Sequence, residues 1–258
     1  MKDALFFAAA ASFVWIAPAM AAIREHEITS LPGWSKSFPS KMYSGYLPVG
    51  KTSGTPGHIH YWFIESQGNP STDPVIYWTN GGPGGSGINA GLLTEMGALQ
   101  LNENSVKKDG NIELFENEFA WSKKANMIYV SQPKGVGFSY CDDLSSSECI
   151  NNDVTSAQDA YDFFTNFFAS YPEFSKQDFY LTAESYGGIY IPMFMDEMDR
   201  RGGFPNLKGA AIGDGCWGTS VGSMLILFVF FSCSMISHFF FLIRSVQLYD
   251  RHFPADLV

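Results

Sequence analysis

Basic residues are scarce: 16 Lys and Arg stand against 26 Asp and Glu, a formal net charge of −10, and no Lys/Arg run gathers them. That balance excludes nucleic acid and anionic membrane surfaces as electrostatic partners. Cysteine is scarce too. Four residues, Cys141, Cys149, Cys216 and Cys233, are too few for a disulfide framework. Cys141 and Cys149 flank a short polar loop where a local bridge would fit, although sequence alone leaves the pairing open. Glycosylation acceptors are lacking as well, because Pro70 blocks the triplet that Asn69 would open with Ser71. No internal repeat or low-complexity linker is evident. What remains is a chain of 258 residues, 46% hydrophobic and 16% charged, long enough for one sizeable core and one main domain.

Lys2, an apolar stretch over residues 4–16, Pro18 and the small residues Ala19, Ala21 and Ala22 have the layout of a cleavable signal peptide over residues 1–21. The expected route is therefore the secretory pathway, to a secreted or a vacuolar or lysosomal destination. Residues 41–46 and 58–66 alternate and are rich in aromatic and β-branched types, as in an antiparallel pair. Residues 75–79, 127–131, 179–183 and 207–212 are short apolar runs bounded by turn residues, which suits strands covered on both faces. Between the second and third of these, residues 154–171 carry apolar side chains at helical spacing before Pro172. A second helix is expected after Ser185. The order βαβαβ predicts an open α/β fold with a mostly parallel sheet and a site at the carboxyl ends of its strands.

Ala183-Glu184-Ser185-Tyr186-Gly187 falls where a strand should end and a helix begin. The pattern small-x-Ser-x-small is that of a nucleophile elbow, in which a strained turn exposes the serine and small flanking residues let strand and helix approach. Ala183 stands where the usual motif has Gly. After another apolar strand comes Asn80-Gly81-Gly82-Pro83-Gly84-Gly85-Ser86-Gly87, whose unshielded backbone N–H groups suit an oxyanion hole. A phosphate cradle is the weaker reading, since no G-K-[ST] ending follows and Pro83 lacks a donor.

Three ordered blocks, Asn80-Gly-Gly-Pro-Gly84, Gln132-Pro-x-Gly-Val-Gly-Phe-Ser-Tyr140 and Glu184-Ser-Tyr-Gly-Gly-x-Tyr-x-Pro192, resemble the signatures of serine carboxypeptidases. Weaker similarity extends from about Tyr43 to about Gly215. The resemblance implies an α/β-hydrolase fold, no cofactor and no metal. It also implies peptide or protein substrates with a free C-terminus. Ser185 would then be the acyl-forming nucleophile, and the N–H groups of Gly82 and Tyr186 would hold the oxyanion. Asn80, Gly81 and Glu184, with Glu95, would bind the substrate's terminal carboxylate. Two carboxylates can share a hydrogen bond only if one is protonated, which favours acidic pH. This chain has one extra residue between Asn80 and Glu95, which leaves the register of Glu95 open. Gly85 replaces a common Cys of the family, and Asp214 a common Asn.

In this fold the orienting Asp and the base His follow the nucleophile. Resemblance fades after Gly215, and the family's later strands, with the Asp and His, are not recognisable. The domain is therefore read as residues 22–219, and residues 220–258 as a hydrophobic tail outside it. That tail would be read-through of non-coding sequence, an alternative product, or a membrane anchor over 224–243, the only segment through which membrane association is open. His238 lies within it, and His252 is too close to Asp250 for the two to occupy separate catalytic loops. His26, His58 and His60 precede the elbow. His58 and His60 would share one strand face, an arrangement that can ligate a metal but more often is an ordinary strand surface. An acyltransferase on the same scaffold shares the acyl-enzyme step, and a non-catalytic tethered fragment would keep the pocket without the chemistry.

Overall fold

The computed structural model describes residues 25–142, 149 and 151–216, with residues 229–232 as backbone. Residues 1–24, where a signal peptide is expected, and most of the expected tail, including His238, Asp250 and His252, lie outside the described residues.

Strands β1 (Met42–Val49) and β2 (Gly57–Ile64) form the antiparallel entry pair. β1 runs three residues beyond the expected end, through Pro48; it lies at the sheet edge, where a missing N–H is tolerated. β3 (Val75–Thr79) is followed by a π-helical turn over Ile88–Glu95 and by the small pair β4 (Leu99–Gln100) and β5 (Phe115–Glu116). Next come β6 (Asn126–Ser131) and β7 (Tyr140–Cys141), then helix α1 (Asp153–Ser170) and β8 (Phe179–Glu184). Helix α2 (Gly187–Arg201) and β9 (Leu207–Gly213) complete the alternation. The large sheet has the order β1-β2-β6-β3-β8-β9-β10, where β10 is Val229–Ser232, with β7 beside β2. β6, β3, β8 and β9 are mutually parallel.

β10 (Val229–Ser232) pairs antiparallel with β9. This corrects the reading of 224–243 as a spanning segment over those four residues, whose backbone is part of a sheet. Among the described residues no helix is long and apolar enough to cross a membrane.

The parallel strands are covered on both faces, and the period of two sorts their side chains. Ile128 and Val130 of β6, with Val75 and Tyr77 of β3, face the helices, where Phe163, Phe164, Phe167 and Phe194 are buried. Met127, Tyr129 and Trp78 point to the other side, against Ile88, Leu92 and Leu99. Helix α1 starts at a reciprocal capping box, Asn152 accepting from Thr155 N–H while Thr155 Oγ1 accepts from Asn152 N–H. It ends at Tyr171 before Pro172. The Cys141–Cys149 bridge is formed and ties β7 to the segment leading into α1.

Candidate active site

Ser185 has φ 54°, left-handed backbone that a β-carbon disfavours. The turn is held from both sides: its N–H donates to Gly213 O at 3.0 Å, and its carbonyl accepts from Gly188 N–H at 2.9 Å and Cys216 N–H at 2.7 Å. The elbow's packing also explains Ala183. A β-carbon at Gly187 would stand 2.2 Å from that of Ala183, so a methyl is tolerated at one of these positions because the other has none.

Parallel pairing sets the neighbouring loop in register. Thr79 lies opposite Ala183, which puts Asn80 beside Glu184 and Gly81 beside the nucleophile. A β-carbon on Gly81 would approach Tyr186 N to 2.4 Å and Ser185 Cβ to 2.8 Å. Gly82 has φ 116°, and Gly85 N–H closes the loop onto Gly81 O at 2.8 Å without the cysteine common in the family. The candidate oxyanion donors therefore sit on two tight backbone segments in contact.

Asn80 is buried and its amide is oriented by its surroundings. Oδ1 accepts from Trp78 Nε1 at 2.9 Å and from Gly91 N–H at 3.1 Å, so Nδ2 must face the carboxylates. It donates to Glu184 Oε1 at 2.7 Å and lies 3.4 Å from both oxygens of Glu95. A π-turn leads into Glu95: Leu92 N–H bonds Gly87 O and Met96 N–H bonds Gly91 O, each five residues back. Burial, and next the charge of Glu184, push the Glu95 carboxyl up, while the Asn80 hydrogen bond pulls the other way. Trp78 and Gly91 escaped the reading of the sequence. Tryptophan two positions before the asparagine, on the same strand face, was the available signal.

The described histidines are engaged elsewhere. His26 Nδ1 meets Tyr61 OH at 2.7 Å, His58 Nδ1 meets Asp142 at 3.1 Å, and His60 Nε2 meets Ser44 Oγ at 2.9 Å. Burial lowers His60 to about 4. Among the described residues, no group of three His, Cys, Asp or Glu is placed to hold a metal ion, and no hydrogen bond reaches Ser185 Oγ. Asp214, with φ 46°, sits just past β9.

The sequence profile of the serine carboxypeptidases matches residues 32–239. Serine carboxypeptidase-like 20 of Arabidopsis thaliana is 41% identical over 194 residues, covering 73% of this chain and 38% of that protein. The lysosomal protective protein of Mus musculus is 40% identical over 201 residues, 78% of this chain and 39% of the relative. The chain thus spans about two fifths of the length of these curated relatives. Among solved structures, the prohormone-processing carboxypeptidase Kex1 of Saccharomyces cerevisiae superposes with a TM-score of 0.60 at 26% identity, covering 75% of this chain and 44% of that one. The sheet order, the elbow at the end of β8 and these matches agree on the α/β-hydrolase fold expected from the sequence, and the chain belongs to the serine carboxypeptidase family.

Proposed function

We propose that this chain carries the nucleophile, oxyanion and carboxylate-binding portions of a serine-type carboxypeptidase acting on peptides with a free C-terminus. The observation that carries this is the Glu184–Asn80–Glu95 cluster one residue from a left-handed Ser185. Ser185 attacks the last peptide carbonyl, and Gly82 and Tyr186 N–H groups receive the oxyanion. Asn80, Gly81 and the two carboxyls hold the terminal carboxylate, which confines cleavage to the chain end. One of the carboxyls must then carry a proton, and the upward push on Glu95 favours its protonated form. Passage through the secretory pathway fits the layout of residues 1–21, the Cys141–Cys149 bridge and a relative named for the lysosome.

The base and its orienting carboxylate are not found among the described residues, so the test joins this chain to the C-terminal portion of a relative. A fluorophosphonate probe should label the joined protein and fail to label its Ser185→Ala variant. C-terminally amidated peptides should be cleaved at least about tenfold more slowly than free acids below pH 5. Glu184→Gln should flatten that pH dependence. Labelling that survives Ser185→Ala, or equal turnover of acid and amide, would refute the assignment.

A further inference from the structure

A cleft of about 310 Å³ opens beside the candidate oxyanion wall, lined by Pro83, Gly84 and Pro133, by Asn151, Asn152, Asp153 and Ser156, and by Tyr186 and Tyr190. Its place along the site follows from the register already described. Asn80 lies beside Glu184, Gly81 beside Ser185, and later positions of the same two segments, Pro83, Gly84 and Tyr186, line the cleft. On the proposed placement of the terminal carboxylate at Asn80 and the scissile carbonyl at Ser185, the cleft stands beyond Ser185 from Asn80 along these two segments. It therefore lies on the acyl side of the bond.

Among the described residues, Asp153 is the one charged residue in the lining. Its Oδ1 accepts from Tyr186 OH at 3.0 Å, and its other oxygen carries no hydrogen bond among the described residues. The neighbouring polar groups are already engaged: Asn151 Nδ2 donates to the carbonyls of Lys134 and Cys149, and Asn152 caps α1. A helix N-terminus contributes about half a positive charge, less than the full negative charge of a carboxylate, so the described lining of the cleft is net electronegative. The rings of Tyr186 and Tyr190, 5.1 Å apart and edge to face, offer a wall for an aliphatic stem or a guanidinium plane. The volume is at the lower end of small-ligand pockets, enough for one long side chain.

On the reading given under the proposed function, we infer that this cleft receives the side chain preceding the scissile bond and that Asp153 makes it select lysine or arginine there. The test uses the full chain and reversible binding, so it needs no catalytic base. N-acetyl-arginine amide and N-acetyl-citrulline amide have nearly the same shape, differ in charge, and lack the free carboxylate that Asn80 would hold. Titration calorimetry should show the arginine compound binding about tenfold more tightly, a preference that salt weakens. Asp153→Asn keeps an acceptor for Tyr186 OH and should abolish the preference, with thermal stability serving as the control for folding. Ser185→Ala should leave it intact. Equal affinities, no binding of the arginine compound, or a preference that survives Asp153→Asn would each overturn the inference. Loss of fluorophosphonate labelling in the joined protein, with the arginine preference intact, would instead overturn the peptidase reading and leave the cleft's selectivity standing.

Discussion

At the scale of single residues, two titratable groups, the exposed Glu95 and the half-buried His60, pull stability in opposite directions with pH. Glu95 has its folded-state carboxyl raised above 4.5, so its contribution is fully present below that value and is lost as pH rises through the folded value. His60 is lowered from 6.5 to about 4, so its neutral ring favours the fold above 6.5 and that gain is lost as pH falls towards 4. Thermal unfolding should separate them. Glu95→Gln should raise the midpoint at pH 7 relative to the parent and lose that advantage at pH 4, whereas His60→Asn should narrow the parent's own fall between pH 6.5 and 4. Parallel pH profiles for either variant and the parent would show that the group titrates as it does in the unfolded chain. The elbow makes a steric prediction. Gly187→Ala forces two β-carbons to 2.2 Å, and overpacking of this kind costs about 1–3 kcal/mol, readable as a lower urea midpoint.

Between elements, the structure holds a buried ion pair that does not touch the candidate site. Lys134, just after β6, and Asp159 of α1 lie 3.0 Å apart and each is 1% exposed. Lys134 Nζ also donates to the carbonyl and hydroxyl of Thr55, while Asp162, one turn along α1, accepts from Gly50 N–H, Thr52 N–H and Thr52 Oγ1. Together they pin the β1–β2 turn onto α1. Burial pushes the Asp159 carboxyl up, with Ser53 and Lys134 opposing it. Lys134→Met leaves that carboxylate buried without its cation, and breaking such a pair costs about 3–5 kcal/mol. The double variant with Asp159→Leu should recover most of the loss in the same chemical denaturation. A single variant as stable as the double would mean that water already reaches the pair.

For the whole molecule, the chain by itself should show no appreciable peptidase activity. With no base at hydrogen-bond distance among the described residues, Ser185 is a weak nucleophile, and oxyanion donors with binding alone supply roughly 10³–10⁴ over water. Expression of residues 22–258, a check for a folded monomer by size exclusion and circular dichroism, and assay on a chromogenic blocked dipeptide would measure this. A rate matching that of a complete carboxypeptidase would bring a histidine outside the described residues, His252 first, into the site. The state of the sheet edge bears on solubility in the same experiment: β10 covers the outer side of β9 along Gly209–Ile212, which shields backbone groups that would otherwise invite pairing between chains.

Local chemistry settled much of this in advance. Short apolar runs marked the four parallel strands to within a residue, because a strand covered on both faces has no polar side to show. The elbow and the glycine loop were legible because their backbone conformations admit few residue types, and Ser185 with Gly81 and Gly82 carry that constraint in their identities. The tertiary structure alone decided what depends on residues distant in the chain. Asn80 takes its direction from Trp78 and Gly91, Glu95 returns to it through a π-turn, Tyr186 reaches Asp153, and Lys134 finds Asp159. Each of these links is a hydrogen bond or ion pair between groups whose local sequence is ordinary, and apart from Trp78, two positions before Asn80, no spacing or composition announces it. Packing around the parallel sheet brings them within reach, and burial then gives the pairings their weight.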